Sequence, residues 1–164
     1  MKKLTCVLTC ALLLISLLAG CASGDTASPI AVISREDGSG TRGAFIELFG
    51  VEQKNDAGEK VDYTTDKAEI TSSTAVMITT VQGNKNAIGY ISLGSYDSTQ
   101  VKAVSVNDVE CTEENIVAGT YTIARPFVLV EGPATDDLAR AFLDYILSAD
   151  GQAVVSEQGY IPVA

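Results

Sequence analysis

Histidine is absent from the 164-residue chain, and with it go the imidazole of a serine or cysteine triad, a common zinc ligand and the usual acid–base pair. Cysteine is scarce: Cys6, Cys10, Cys21 and Cys111 are the four, and three of them fall in the first 21 residues. Positive charge is scarce as well. Eleven Lys and Arg face 21 Asp and Glu, a formal net charge of −10, whereas a nucleic-acid partner requires a basic surface that displaces counterions. The only long hydrophobic run, residues 4–18, is short of the roughly 20 residues that a bilayer-spanning helix needs.

That run follows Lys2 and Lys3 and ends in Leu18, Ala19, Gly20 and Cys21, the order of charged, hydrophobic and small-residue regions in a secretory signal. The Leu-Ala-Gly-Cys sequence resembles the lipobox of bacterial lipoproteins. Residues 1–20 therefore read as a cleaved signal peptide and Cys21 as a lipidated N-terminus, with an uncleaved anchor helix as the alternative. Either reading places the remainder at the extracytoplasmic face of the cell membrane. Residues 21–29, small and polar, read as the tether between lipid and domain. Cleavage removes Cys6 and Cys10, so neither an intramolecular disulfide nor a cysteine metal site is expected. Cys111, beside Glu110 and Glu113, reads as an inert thiol.

Folded structure is expected from Ile30. Residues 30–33 form a short apolar strand. Gly38 to Gly40 make a tight loop, and from Thr41 a helix carries Ala44, Phe45, Leu48 and Phe49 at helical spacing. Residues 50–70 are polar, read mostly as loop with a short strand near 61–63. Ser72 or Ser73 caps a second helix reaching Gly83. Strands are expected at 87–93, 101–106 and 127–130. Short helices are expected from Thr112 to Gly119 and over 151–158, and an amphipathic one over 137–147 with Leu138, Ala141, Phe142, Tyr145 and Ile146 on one face. Strands alternating with helices predict an α/β domain with a largely parallel or mixed sheet.

The segment that carries chemistry is Ser34-Arg35-Glu36-Asp37-Gly38-Ser39-Gly40-Thr41-Arg42-Gly43, between a strand and a helix. A helix N-terminus offers unpaired N–H groups and the positive end of the helix dipole, which suit an anion. Gly38 and Gly40 let backbone approach a ligand. Ser39 and Thr41 add hydroxyl donors, and Arg35 a planar fork matched to an oxyanion. Asp37 fits beside an anion that carries a proton: a carboxylate only accepts, so it rewards phosphate, which can donate, and rejects sulfate, which cannot. Glu36 and Arg42 are expected to face solvent or pair with each other, and Tyr90, Tyr121 and Tyr160 to pack.

Other readings of the same loop are a plain strand-to-helix turn with an Arg35–Asp37 ion pair, and a dinucleotide fingerprint through Gly38, Gly40 and Gly43. The fingerprint lacks a second strand ending in an acidic residue about 20 positions on. Ser39 as a nucleophile lacks both a histidine and the G-x-S-x-G frame, so an enzyme is not expected.

Residues 33–45 resemble the phosphate-loop signature of the substrate-binding proteins of phosphate ABC transporters, which have the periplasmic-binding-protein type 2 fold. Ala87-Ile88-Gly89-Tyr90-Ile91-Ser92, Phe142-Leu143-Asp144-Tyr145-Ile146-Leu147 and Gly159-Tyr160-Ile161-Pro162-Val163 resemble further stretches of that family. The resemblance implies that Arg35, Asp37, Ser39, Gly40 and Thr41 contact inorganic phosphate, without cofactor or metal, and that an ABC transporter permease is the partner. It also implies a departure. The family's first-lobe segment between signal and strand is not found here, so residues 30–124 correspond to the phosphate-loop lobe and 125–164 to the crossover back to the first lobe. A separately encoded N-terminal lobe is then an expected partner. A regulatory or interaction lipoprotein that kept the fold without transport is the alternative.

Overall fold

The computed structural model describes residues 29–163. Strand β1 (Ala31–Arg35) is central, flanked by β4 (Glu69–Thr71) and β5 (Ala87–Ile88) in a three-stranded sheet of order β4-β1-β5. Both pairings are parallel, with Arg35 opposite Thr71 and Ala31 opposite Ala87. Ile33 and Ser34 are both buried, so β1 is covered on both faces there and need not alternate, whereas Ile30, expected within the strand, precedes it and is exposed. Helix α1 (Gly40–Leu48) follows β1 and α2 (Thr74–Gly83) follows β4. Ile33 of β1, Ile46 of α1 and Met77 of α2 form the buried apolar centre. Gly89 belongs to this packing, because a Cβ there would overlap the Met77 sulfur.

The register has a functional consequence. Arg35 and Thr71, the last residues of their strands, are paired, so the N-termini of α1 and α2 emerge at the same edge of the sheet. That carboxyl edge is where open parallel sheets place their ligands.

Residues 50–70 hold more structure than their polarity suggests. Strands β2 (Glu52–Lys54) and β3 (Lys60–Asp62) form an antiparallel hairpin, turned by Asn55, whose Oδ1 accepts the N–H groups of Ala57 and Glu59. Local side-chain bonds rather than an apolar face define it, so alternation does not mark it. In other places the structure holds less than expected. The strand over 87–93 is only Ala87–Ile88. Residues 101–106 pair only through a bridge from Val106 to Val109, and 127–130 form no strand among the described residues, with Phe127 82% exposed. Apolar, β-branched residues raise strand preference, but a strand needs a neighbour.

The remaining helices each start at a capping side chain, and the one expected over 151–158 runs from Ala149 to Glu157. Thr112 caps α3 (Glu113–Val117), Asp136 caps α4 (Asp137–Leu147), and Ser148 caps α5 (Ala149–Glu157). Helices α4 and α5 pack on each other across a junction so tight that a Cβ at Gly151 would overlap the Tyr145 carbonyl. Leu138, Phe142 and Tyr145 of α4 remain exposed.

Candidate functional site

Strand β1 carries Arg35 to the sheet edge, and the chain turns into α1 through Glu36, Asp37, Gly38 and Ser39. Gly38 sits at φ +84°, a region that costs other residues strain. Ser39 caps α1: its Oγ accepts the Arg42 N–H at 3.3 Å, while its own N–H donates to the Glu36 carbonyl. Among the described residues no acceptor meets the N–H groups of Gly40 and Thr41 or the Thr41 hydroxyl. These are orphan donors of a helix N-terminus. Gly40 has ordinary φ, and nothing among the described residues lies within 4 Å of a Cβ built there, so no packing among them calls for a glycine at this point.

Two networks hold the loop. In the first, the Arg35 guanidinium, its side chain 13% exposed, donates from Nε and Nη2 to the two Glu36 carboxylate oxygens at 2.9 and 3.0 Å. Its Nη1 donates to Thr74 Oγ1 at 3.1 Å, at the first residue of α2. The hydrogen bond to Glu36 raises the Arg35 pKa against the opposing effect of burial, and the same bond lowers that of Glu36. The Arg35 N–H donates to the Tyr90 hydroxyl at 3.0 Å, and that hydroxyl shares a 2.7 Å hydrogen bond with the buried Ser34 Oγ. Tyr90 is itself held by stacking on Phe45 of α1.

Arg42 makes the second network. Its Nε and Nη2 donate to Asp62 Oδ2 at 3.2 and 2.8 Å, and its Nη1 donates to the Arg35 carbonyl at 3.1 Å and to Asp37. Burial pushes the Asp62 carboxyl up, but hydrogen bonds from the Thr64 hydroxyl and N–H and from Arg42 outweigh it and hold Asp62 below its ordinary value. Arg42 therefore straps the loop to β3. The expectation that Glu36 and Arg42 face solvent or pair with each other is corrected: Glu36 pairs with Arg35, and Arg42 with Asp37 and Asp62.

The structure brings Arg35, Ser39, Gly40 and Thr41 to one edge of the sheet. Asp37 lies at its rim, its side chain 97% exposed and paired with Arg42 rather than with Arg35. An open cavity of about 330 Å³ beside the loop is lined by Asp37, Gly38, Ser39, Arg42, Ile46 and Asp62 among others. Sequence reasoning did not single out Thr74 or Asp62. Thr74 follows Ser73, which holds the N-cap position of α2 without a side-chain capping bond; a serine there signals a helix start but not that this start abuts Arg35. That proximity comes from the β1–β4 register.

A family model for the PBP superfamily domain matches residues 19–150. The phosphate-binding protein PstS 2 of Streptococcus agalactiae is 49% identical over 99% of this chain and 56% of its own length. Among solved structures, the phosphate-binding protein of a phosphate ABC transporter from Streptococcus pneumoniae superposes with TM-score 0.73 at 42% identity, over 82% of this chain and 51% of its own. A Clostridium perfringens substrate-binding protein assigned to a phosphate ABC transporter, with phosphate bound, superposes with TM-score 0.70 at 40% identity, over 84% and 53%. The chain thus spans about half the length of the relatives it matches.

Proposed function

This chain belongs to the PBP superfamily and has the α/β fold of its type 2 domains, and on that premise we propose that it binds inorganic phosphate through Arg35, Ser39, Gly40 and Thr41, with Asp37 at the rim. The observation that carries this reading is the open edge at Gly40. The Gly40 and Thr41 N–H groups and the Thr41 hydroxyl lack protein acceptors among the described residues, and the missing side chain at Gly40 leaves space that nothing in the described protein fills. An oxyanion supplies both the acceptors and the reason for a glycine. Of Arg35's five N–H donors, three are engaged within the described residues, leaving one on each terminal nitrogen for the ligand.

In this reading the chain is a receptor rather than an enzyme. It is anchored through Cys21 at the extracytoplasmic face after loss of residues 1–20, and delivers phosphate to an ABC transporter permease. Residues 1–28 lie outside the described part of the chain, so the signal and lipidation rest on the sequence pattern. Residues 30–124 form the phosphate-loop lobe, and 125–164 lead toward a first lobe supplied by additional or separate chain. Arg35→Ala tests the site. It should weaken phosphate binding by about 1.5 to 3 kcal/mol, the range for hydrogen bonds to a charged group, and calorimetry showing unchanged affinity would remove Arg35 from it.

A second reading, a regulatory or interaction lipoprotein, draws on the exposed apolar side chains of 127–130 and of α4. It predicts no phosphate binding.

A further inference from the structure

Resting on the phosphate-loop reading, we propose that Glu36 sets the ligand charge the loop favours, acting as a fixed anion clamped to the side of Arg35. Two geometric facts carry this. Both Glu36 oxygens are taken by Arg35, on the edge formed by Nε and Nη2, so the approaching ligand meets an arginine whose charge is already balanced at contact distance. The groups around that contact are fixed as well: the Glu36 backbone is held by its N–H donating to the Thr71 carbonyl at the end of β4, and Thr74 holds the far side of the guanidinium. The Glu36 side chain is partly exposed, and its two bonds to Arg35 are what hold the carboxylate beside the guanidinium.

The other cations at this edge are balanced as well. Arg42 is paired with Asp37 and Asp62, and Arg125, whose Nη2 donates to the Gly40 carbonyl, is paired with Glu47. Attraction for the ligand then comes from backbone N–H groups, hydroxyls and two guanidinium N–H groups. Each additional negative charge on the ligand is opposed by Glu36 without an uncompensated cation to offset it. Replacing that carboxylate with an amide of the same shape leaves Arg35 with net positive charge and must favour a dianion over a monoanion.

The test uses two tetrahedral anions that carry no proton and differ in charge, sulfate and perchlorate, at one neutral pH, with phosphate as reference. In the full chain, Glu36→Gln should raise the sulfate-to-perchlorate affinity ratio at least about threefold, the effect of one unit charge roughly 7 Å away across the guanidinium even in a water-like medium. Glu36→Asp keeps the charge and alters the fit, and its ratio should stay within about twofold of wild type. A loss of contact geometry alone weakens both anions together and leaves the ratio in place. If wild type binds phosphate and the Gln variant leaves the ratio unchanged, this inference fails while the phosphate reading stands. A ratio that moves equally in the Asp variant assigns the effect to geometry and also overturns it. If wild type does not bind phosphate, both fall.

Discussion

Gly38 and Gly40 stand two positions apart and do different work. Gly38 answers to the backbone: at φ +84° an alanine is strained, and Gly38→Ala should lower unfolding free energy by about 1 kcal/mol or more. On the proposed reading, Gly40 answers to the ligand. With ordinary φ and open space at its Cβ, Gly40→Ala should leave stability unchanged or raise it by up to about 1 kcal/mol, yet weaken phosphate binding at least tenfold, the consequence of about 1.4 kcal/mol lost. Chemical denaturation and a phosphate titration on both variants check this pair. A Gly40→Ala chain that binds as well as wild type shows the glycine is not there for an anion. At this scale the sequence was informative wherever chemistry resides in residue type. That Arg35, Ser39 and Thr41 come together at a strand end and a helix start was legible, because a short apolar strand, a glycine turn and a helix beginning are local features. The pairing of Glu36 and Arg42 was not, since adjacent charges along a sequence do not reveal which partner tertiary structure supplies. Arg42 found Asp62 twenty positions away.

Among the elements, helix starts were the most readable, because a cap and its helix are local. Ser39, Thr112 and Asp136 accept the N–H three residues on, as such residues do. Strands were less readable, because each depends on a neighbour distant in sequence. Residues 101–106 and 127–130 have the composition of strands but, apart from the Val106–Val109 bridge, find no strand partner among the described residues, whereas β4, unremarkable in sequence, is fixed by β1. The join between α1 and β3 has a consequence for acid stability. Asp62 is held below its ordinary pKa, so its contribution is present above the unfolded value, about 3.9, and is lost as pH falls through the lower folded value. Asp62→Asn should therefore reduce stability near neutral pH and flatten the loss on acidification. Urea midpoints at about pH 7 and about pH 3 measure this, and parallel profiles for the two chains would show that the Arg42–Asp62 strap carries no stability.

For the molecule as a whole, the decisive fact is one of extent. The relatives have nearly as much chain again, and here the ligand edge is open while apolar side chains of α4 and 127–130 face outward. A site closed by a second lobe excludes water, and the lower local dielectric strengthens each contact. An open edge leaves the same donors competing with solvent, so the described chain on its own should bind weakly. Residue-specific NMR during a phosphate titration of the purified chain reads the Gly40 edge itself. Saturable shifts are expected at the Gly40 and Thr41 amides with a Kd of about 10 µM to 1 mM, and Gly40 and Thr41 signals that do not move in about 10 mM phosphate would show that no phosphate binds at this edge.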